Sequence, residues 1–159
     1  MTSDIAMCKR FVLGSLTAIC PIGIAENELT ALRLFRGKAN CTAYHAGLNL
    51  TDEEFHNTGV AWRNGKLQDE GRYTVTKREP DKGAFKTPTL RQVSQTAPYM
   101  HDGSLATLAD VVDRYNQGGV ANPHLDREIR PLKLTDEEQA DVVAFLESLT
   151  GHMRFEPAR

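Results

Sequence analysis

The stretch Cys41-Thr42-Ala43-Tyr44-His45 departs at one position from C-x-x-C-H, the attachment sequence of a c-type haem. In that sequence two thiols form thioethers with the porphyrin, and the adjacent histidine becomes the proximal ligand of the iron. Here Cys41 can supply one thioether and His45 one axial nitrogen. Tyr44 stands where the second cysteine would be and can form no thioether. The stretch therefore predicts a haem held by a single covalent bond.

Length and composition are those of one globular domain. The chain of 159 residues is long enough for a hydrophobic core, and its hydrophobic and charged fractions of 40% and 25% are ordinary. The formal net charge of −2 argues against a nucleic-acid-binding surface. We therefore predict a single folded domain that binds no nucleic acid.

Residues 1–25 have the features of a signal peptide. Lys9 and Arg10 form a basic segment, a mostly apolar run follows, and Gly23 and Ala25 are small residues suited to a cleavage site. The apolar run is too short and too interrupted by proline for a membrane span. An amphipathic or disordered extension of a cytosolic protein is the alternative. We expect export to the periplasm, no membrane span after processing, and a mature domain of residues 26–159.

The pattern after residue 25 predicts helices joined by long irregular connections, and hence an all-α domain. A first helix is expected over residues 26–36, a second from Thr107, and a third over residues 135–150. The apolar positions that we expect to be buried are Ala31, Leu32 and Phe35 in the first helix, Leu108, Val111, Val112 and Tyr115 in the second, and Val142, Phe145, Leu146 and Leu149 in the third.

The sequence Leu-Thr-Asp-Glu-Glu occurs twice, at residues 50–54 and 134–138. Each copy has the pattern of a capping box, in which threonine and glutamate satisfy the free amides of a helix start. We therefore predict that a helical turn begins at Thr51 and that a helix begins at Thr135.

Residues 57–91 show no sustained periodicity, apart from some hairpin character at residues 72–76. Glycine and proline interrupt this segment repeatedly. So long a stretch without regular structure normally needs something to wrap around. A large planar cofactor would serve this purpose, with the helices and loops packed about it.

Met100 is the candidate for the second axial ligand of the iron. It lies in a polar, proline-containing loop and belongs to no helical stripe, so a role as a core-filling residue is less expected than usual. Methionine opposite histidine is the common ligand pair of cytochromes c. His101 is the alternative ligand, although a structural role suits it better.

Other side chains have weaker claims. Arg91 could pair with a haem propionate, because a guanidinium binds carboxylates in bidentate fashion, or could be an ordinary surface arginine. His56 is expected to be structural and Trp62 to cover the core. Tyr44 is not expected to bind iron, because the adjacent His45 already points at the metal. A zinc site is also not expected, since the cysteine and histidine residues lack paired spacing.

Five short segments occur in order along the chain: GKANC at residues 37–41 followed by His45, FHNTGV at 55–60, DKGAFKTPTLR at 81–91, APYMHDGS at 97–104 and LTDEE at 134–138. In this order they resemble the C-terminal half of bacterial di-haem cytochrome c peroxidases, over roughly residues 31–151. No single segment is specific, but this many in one order is a strong signal.

The resemblance implies a cytochrome c fold with His45 as proximal and Met100 as distal ligand. In that family this half accepts an electron from a small cytochrome c or cupredoxin and passes it to a second haem, where peroxide is reduced. The resemblance also implies calcium between the two haem domains, without placing its ligands in this chain.

Two departures from the family pattern leave the function open. Tyr44 replaces the second attachment cysteine, and no other C-x-x-C-H occurs in the chain. A haem with both axial positions filled has no vacancy for peroxide, so this chain alone should be a poor peroxidase. It could be an electron-transfer domain, one half of a split or truncated peroxidase that needs a partner bearing the second haem, or a haem-free degenerate remnant.

Overall fold

The computed structural model describes residues 26–151, with side chains from residue 29 onward. The proposed leader, residues 1–25, lies outside the described part. The helices are α1 (Glu26–Arg36), α2 (Tyr73–Thr76), α3 (Leu108–Asn116) and α4 (Asp136–Ser148). Short 3-10 turns lie at Cys41–Ala43, Glu79–Asp81 and Val93–Gln95. The strands, two residues each, are β1 (Phe55–His56), β2 (Trp62–Arg63), β3 (Lys66–Leu67) and β4 (Phe85–Lys86).

The hydrophobic core lies between α1, α3 and α4. Phe35 of α1 and Val142 of α4 are its most completely buried large side chains. The ring of Phe35 packs against that of Phe145, with 4.8 Å between the centroids. α3 contributes Leu108 and Val112 to the same cluster. Of the residues predicted to be buried, Ala31 joins Phe35 in being buried in α1, whereas Leu32 is half-buried.

The starts of α3 and α4 are capped as the sequence predicts. The Thr107 hydroxyl accepts from the amide of Asp110, and the Asp110 carboxylate accepts from the amide of Thr107. Thr135 and Glu138 form the same reciprocal pair at the start of α4. Each cap satisfies amides that the first helical turn leaves free.

The prediction of an all-α domain is wrong, because four short strands form two antiparallel pairs. β1 pairs with β4, which ties residues 55–56 to residues 85–86. β2 and β3 form a hairpin over Asn64 and Gly65, whose φ angles of 52° and 71° suit a tight hairpin turn. Strands of two residues carry no readable alternation, so hydrophobic periodicity could not reveal them.

Two local predictions are also wrong. Residues 72–76 form no hairpin, because the short helix α2 lies there. No helix begins at Thr51, since Glu53 has a φ of 60°, outside the helical region. The Thr51 hydroxyl accepts from the Glu53 amide and donates to the carbonyl of Thr87, 2.8 Å away. The sequence Leu-Thr-Asp-Glu-Glu therefore caps a helix at residues 134–138, whereas at residues 50–54 it connects two irregular segments.

No helix among the described residues is long and apolar enough to cross a membrane.

We expect Thr135→Ala to lower the free energy of unfolding by about 1 kcal/mol, because it removes the acceptor of the α4 cap. Thr135→Ser keeps the hydroxyl and is the matched control, expected to retain most of the stability. Urea denaturation followed by circular dichroism measures both. Equal losses in the two variants would contradict the capping role.

Candidate haem site

Two cavities with partly shared walls lie beside the core. The larger has a volume of about 370 Å³ and is lined by His45, Met100 and His101 among others. The smaller, about 100 Å³, is lined by Cys41 and many apolar side chains. The structure thus brings the two predicted axial ligands, far apart in sequence, to one cavity. The residues common to both walls are Tyr44, His45, Leu90, Val111, Tyr115 and Leu146.

The His45 ring is held in one orientation. Its Nδ1 lies 3.0 Å from the carbonyl oxygen of Leu50, which can only accept, so Nδ1 carries the proton. In the neutral ring the lone pair is then on Nε2, the atom available to a metal. Burial lowers the pKa of His45 below its ordinary value, which favours this neutral form. A backbone carbonyl bound to the far nitrogen is the usual support of a metal-ligating histidine.

Cys41 and His45 share one turn of backbone. The amide of His45 donates to the carbonyl of Cys41 over 2.9 Å, a spacing that places the two side chains on the same face. The turn starts after Asn40, whose φ is 52°. Burial raises the pKa of the Cys41 thiol to about 12. In the cofactor-free chain the sulfur is therefore a protonated, unreactive thiol.

Tyr44 turns toward the cavities rather than to solvent. Its ring packs on that of His56, with centroids 4.3 Å apart. Its hydroxyl is buried near the carboxylate of Asp126. Burial and the nearby carboxylate of Asp126 raise the pKa of Tyr44 above its ordinary value. A phenol with a raised pKa does not readily lose its proton, and iron ligation would need the deprotonated phenolate.

His56 joins β1 to two acidic side chains. Its Nδ1 lies 2.7 Å from the carboxylate of Asp126, and its Nε2 lies 2.9 Å from that of Asp52. Both ring nitrogens are therefore occupied within the protein, and His56 supports Tyr44 rather than facing the cavity with a free donor atom. Among the described residues, no group of three or more His, Cys, Asp or Glu side chains is placed to hold a metal ion.

The Met100 loop is a tight turn closed by backbone bonds. The amide of Tyr99 donates to the carbonyl of Leu105 over 2.7 Å, and the amide of Gly103 donates to that of Met100 over 3.2 Å. Met100 has a φ of 70°, a conformation that methionine rarely adopts. Such outliers concentrate at functional sites, where the surrounding structure holds them in place.

His101, the alternative ligand, is stacked on another residue that lines the same cavity. Its ring stacks on that of Phe85, with centroids 3.6 Å apart and planes 11° from parallel. Burial lowers the pKa of His101 below its ordinary value. The next residue, Asp102, forms an ion pair with Arg63 of β2, which ties the loop to the hairpin. Both Met100 and His101 line the cavity, so position alone does not choose between them.

Arg91 lies away from the cavities. Its side chain is exposed, and it is absent from the lining of both cavities. Its Nε and Nη2 both donate to the carbonyl oxygen of Leu48, at 3.0 and 2.6 Å. The predicted contact of Arg91 with a propionate stays a prediction. Trp62 is half-buried in β2.

Sequence reasoning missed the Leu50 carbonyl, because a backbone acceptor leaves no signal in the residue type. The φ of 51° at Leu50 is likewise invisible in the sequence, where glycine would be the usual sign of a left-handed position. Sequence reasoning also assigned Tyr115 only to the apolar face of a helix, although Tyr115 lines both cavities.

No protein-family model matches the chain. Known proteins with similar sequences are MauG proteins and cytochrome c peroxidases. The chain is 36% identical over 149 residues to the methylamine utilization protein MauG of Methylorubrum extorquens, covering 94% of this chain and 40% of that protein. It is 35% identical over 127 residues to the cytochrome c551 peroxidase of Nitrosomonas europaea, covering 79% of this chain and 35% of that protein.

Among solved structures, the chain is similar to a MauG-like protein associated with microbial copper homeostasis. The TM-score is 0.72 at 34% identity, and the match covers 81% of this chain and 48% of that one. The chain thus spans less than half the length of each of these relatives.

We expect Cys41 in the folded, haem-free chain to react with iodoacetamide at pH 8 about a thousandfold more slowly than in the urea-unfolded chain. The reason is that a rise of the thiol pKa from 9.0 to about 12 reduces the thiolate fraction by that factor. Mass spectrometry of the peptide containing Cys41 gives the rate at this position. Similar rates in the folded and unfolded chains would contradict the buried, protonated thiol.

Proposed function

Because the chain belongs to the di-haem cytochrome c peroxidase family, we propose that it binds one haem c and acts as an electron-transfer domain. The observation that carries the proposal is that His45 and Met100 line one cavity. Cys41, which lines the adjoining cavity, would form the one thioether. When bound, the haem supplies an iron that gains and loses one electron reversibly.

The donor atoms suit this cofactor. His45 is neutral, with Nε2 available, and Met100 supplies a thioether sulfur, the pair common in low-spin cytochromes c. The thiol of Cys41 is on the same face of the backbone as His45. Apolar side chains such as Leu90, Val111 and Leu146 surround the donors, as in most cofactor sites. Tyr44 takes the place of a second thioether, so one porphyrin vinyl would stay unmodified.

Arg91 would contact a propionate only with the part of its guanidinium that Leu48 leaves free. That carbonyl engages the N–H of Nε and one N–H of Nη2, which leaves both N–H groups of Nη1 and the second N–H of Nη2. This contact stays a proposal, as do export to the periplasm, binding of calcium, and a small cytochrome c or cupredoxin as electron donor.

A second candidate is a split peroxidase, in which this domain works beside a domain or chain that carries the peroxidatic haem. With His45 and Met100 both on the iron, no axial position is left for peroxide. Peroxide-dependent oxidation of a reduced cytochrome by the chain with such a partner, but by neither alone, would support it.

The proposal is tested by producing the full chain in a host competent in cytochrome c maturation. We expect haem stain to follow the polypeptide on a denaturing gel, because the thioether survives unfolding, and a reduced spectrum of a low-spin haem. Cys41→Ser should abolish the stain while Cys8→Ser and Cys20→Ser leave it unchanged. A colourless, stain-negative product would contradict the proposal.

We expect Tyr44→Cys to raise the fraction of chain with covalently bound haem, because it restores C-x-x-C-H at residues 41–45. The control Tyr44→Phe keeps the ring but adds no thiol, and should not raise that fraction. The ratio of Soret absorbance to protein measures both variants. No increase with Tyr44→Cys would favour a haem-free remnant over an impaired attachment site.

A further inference from the structure

The loop of residues 46–50 controls the acceptor of the His45 hydrogen bond. The loop begins directly after His45 and ends at Leu50, whose carbonyl oxygen lies 3.0 Å from the Nδ1 atom of His45. Leu50 has a φ of 51°, so the direction of its carbonyl depends on a strained backbone conformation. The side chain of Leu48, at the outer part of the loop, is 87% exposed, whereas that of Leu50 is partly buried and packs against the hydrophobic core.

Residues 87–91 fasten this loop through three contacts with its backbone or with the residue that follows it. Arg91 donates twice to the carbonyl of Leu48, at 3.0 and 2.6 Å. The Thr89 hydroxyl donates to the carbonyl of Asn49. The Thr51 hydroxyl, just after the loop, donates to the carbonyl of Thr87 over 2.8 Å. Within the loop itself, the backbone bonds are Leu50 N–H to Gly47 and Thr51 N–H to Ala46, at 3.2 and 3.0 Å.

Arg91 makes the strongest of these contacts. It is the one charged donor among them, and two of its N–H groups converge on one oxygen, a geometry that fixes direction as well as distance. Thr89 and Thr51 each form one hydrogen bond between neutral groups, which contributes less to stability than a bond from a charged donor. Loss of the guanidinium would therefore loosen the loop more than loss of either hydroxyl.

We propose that Arg91 is a positioning residue for His45, acting through the Leu48 carbonyl and the loop to hold the Leu50 carbonyl on Nδ1. The proposal rests on the proposed function, in which His45 is the proximal ligand. A firm hydrogen bond at Nδ1 makes the imidazole a stronger electron donor to a metal at Nε2. Arg91 would thus tune the iron through the position of the His45 ring.

The test compares Arg91→Gln and Arg91→Lys with Arg78→Gln, which changes an exposed arginine on another segment, between α2 and the Glu79–Asp81 turn. The first measurement is the solvent exchange of the His45 Nδ1 proton, by NMR on the full chain in its reduced, diamagnetic haem state. The second is the reduction potential of the haem.

We expect Arg91→Gln to speed this proton exchange about tenfold, which corresponds to about 1.4 kcal/mol, and to raise the reduction potential. Arg91→Lys, which keeps the charge but lacks the paired donors, should give a smaller change of the same sign, and Arg78→Gln none. Arg91→Lys also serves if Arg91→Gln fails to fold. A variant that loses thermal stability but keeps the wild-type exchange rate and potential would overturn the proposal.

Failure of this inference can be told from failure of the proposed function. If the chain binds no haem, the proposed function fails, and the exchange of the His45 Nδ1 proton is measured on the haem-free chain instead. If haem binds and the Arg91 variants behave like Arg78→Gln, the positioning role alone fails.

Discussion

The hydrogen bond from His45 Nδ1 to the carbonyl of Leu50, 3.0 Å long, decides what the rest of the site can do. It assigns the ring proton to one nitrogen and leaves the lone pair of the other nitrogen for a metal. Burial acts in the same direction by lowering the pKa of His45. Cys41 lies on the same backbone turn as His45, and the loop that follows His45 carries the Leu50 carbonyl.

The helices and the irregular segments of the fold have different roles. α1, α3 and α4 form a conventional core around Phe35 and Val142, and side chains from α3 and α4 line the cavities. The irregular segments carry the candidate ligand atoms, in the Cys41 turn and the Met100 loop. Short strand pairs and side-chain bonds to backbone carbonyls hold these segments in place.

The sequence predicted the capped helices, since Thr107 and Thr135 act through bonds to their own neighbours. It also predicted His45 and Met100 as axial ligands, and both line one cavity, although their ligand role stays a prediction. It failed at Thr51, where the same capping pattern is overridden by a tertiary bond to Thr87. It could not foresee the pairing of β1 with β4, or the attachment of Arg91 to Leu48, because such contacts depend on how distant segments meet. The environment of Tyr44, whose buried hydroxyl lies beside Asp126, also depends on how distant segments meet and could not be predicted from the sequence.

In the proposed site, Tyr44 occupies the second attachment position, so Cys41 alone would anchor the cofactor while His45 and Met100 would set its electronic properties. X-ray absorption at the iron edge of the purified chain tests this account most directly. The account predicts one sulfur and five nitrogen scatterers around the iron. Six nitrogen or oxygen scatterers, or a compact protein without iron, would contradict it.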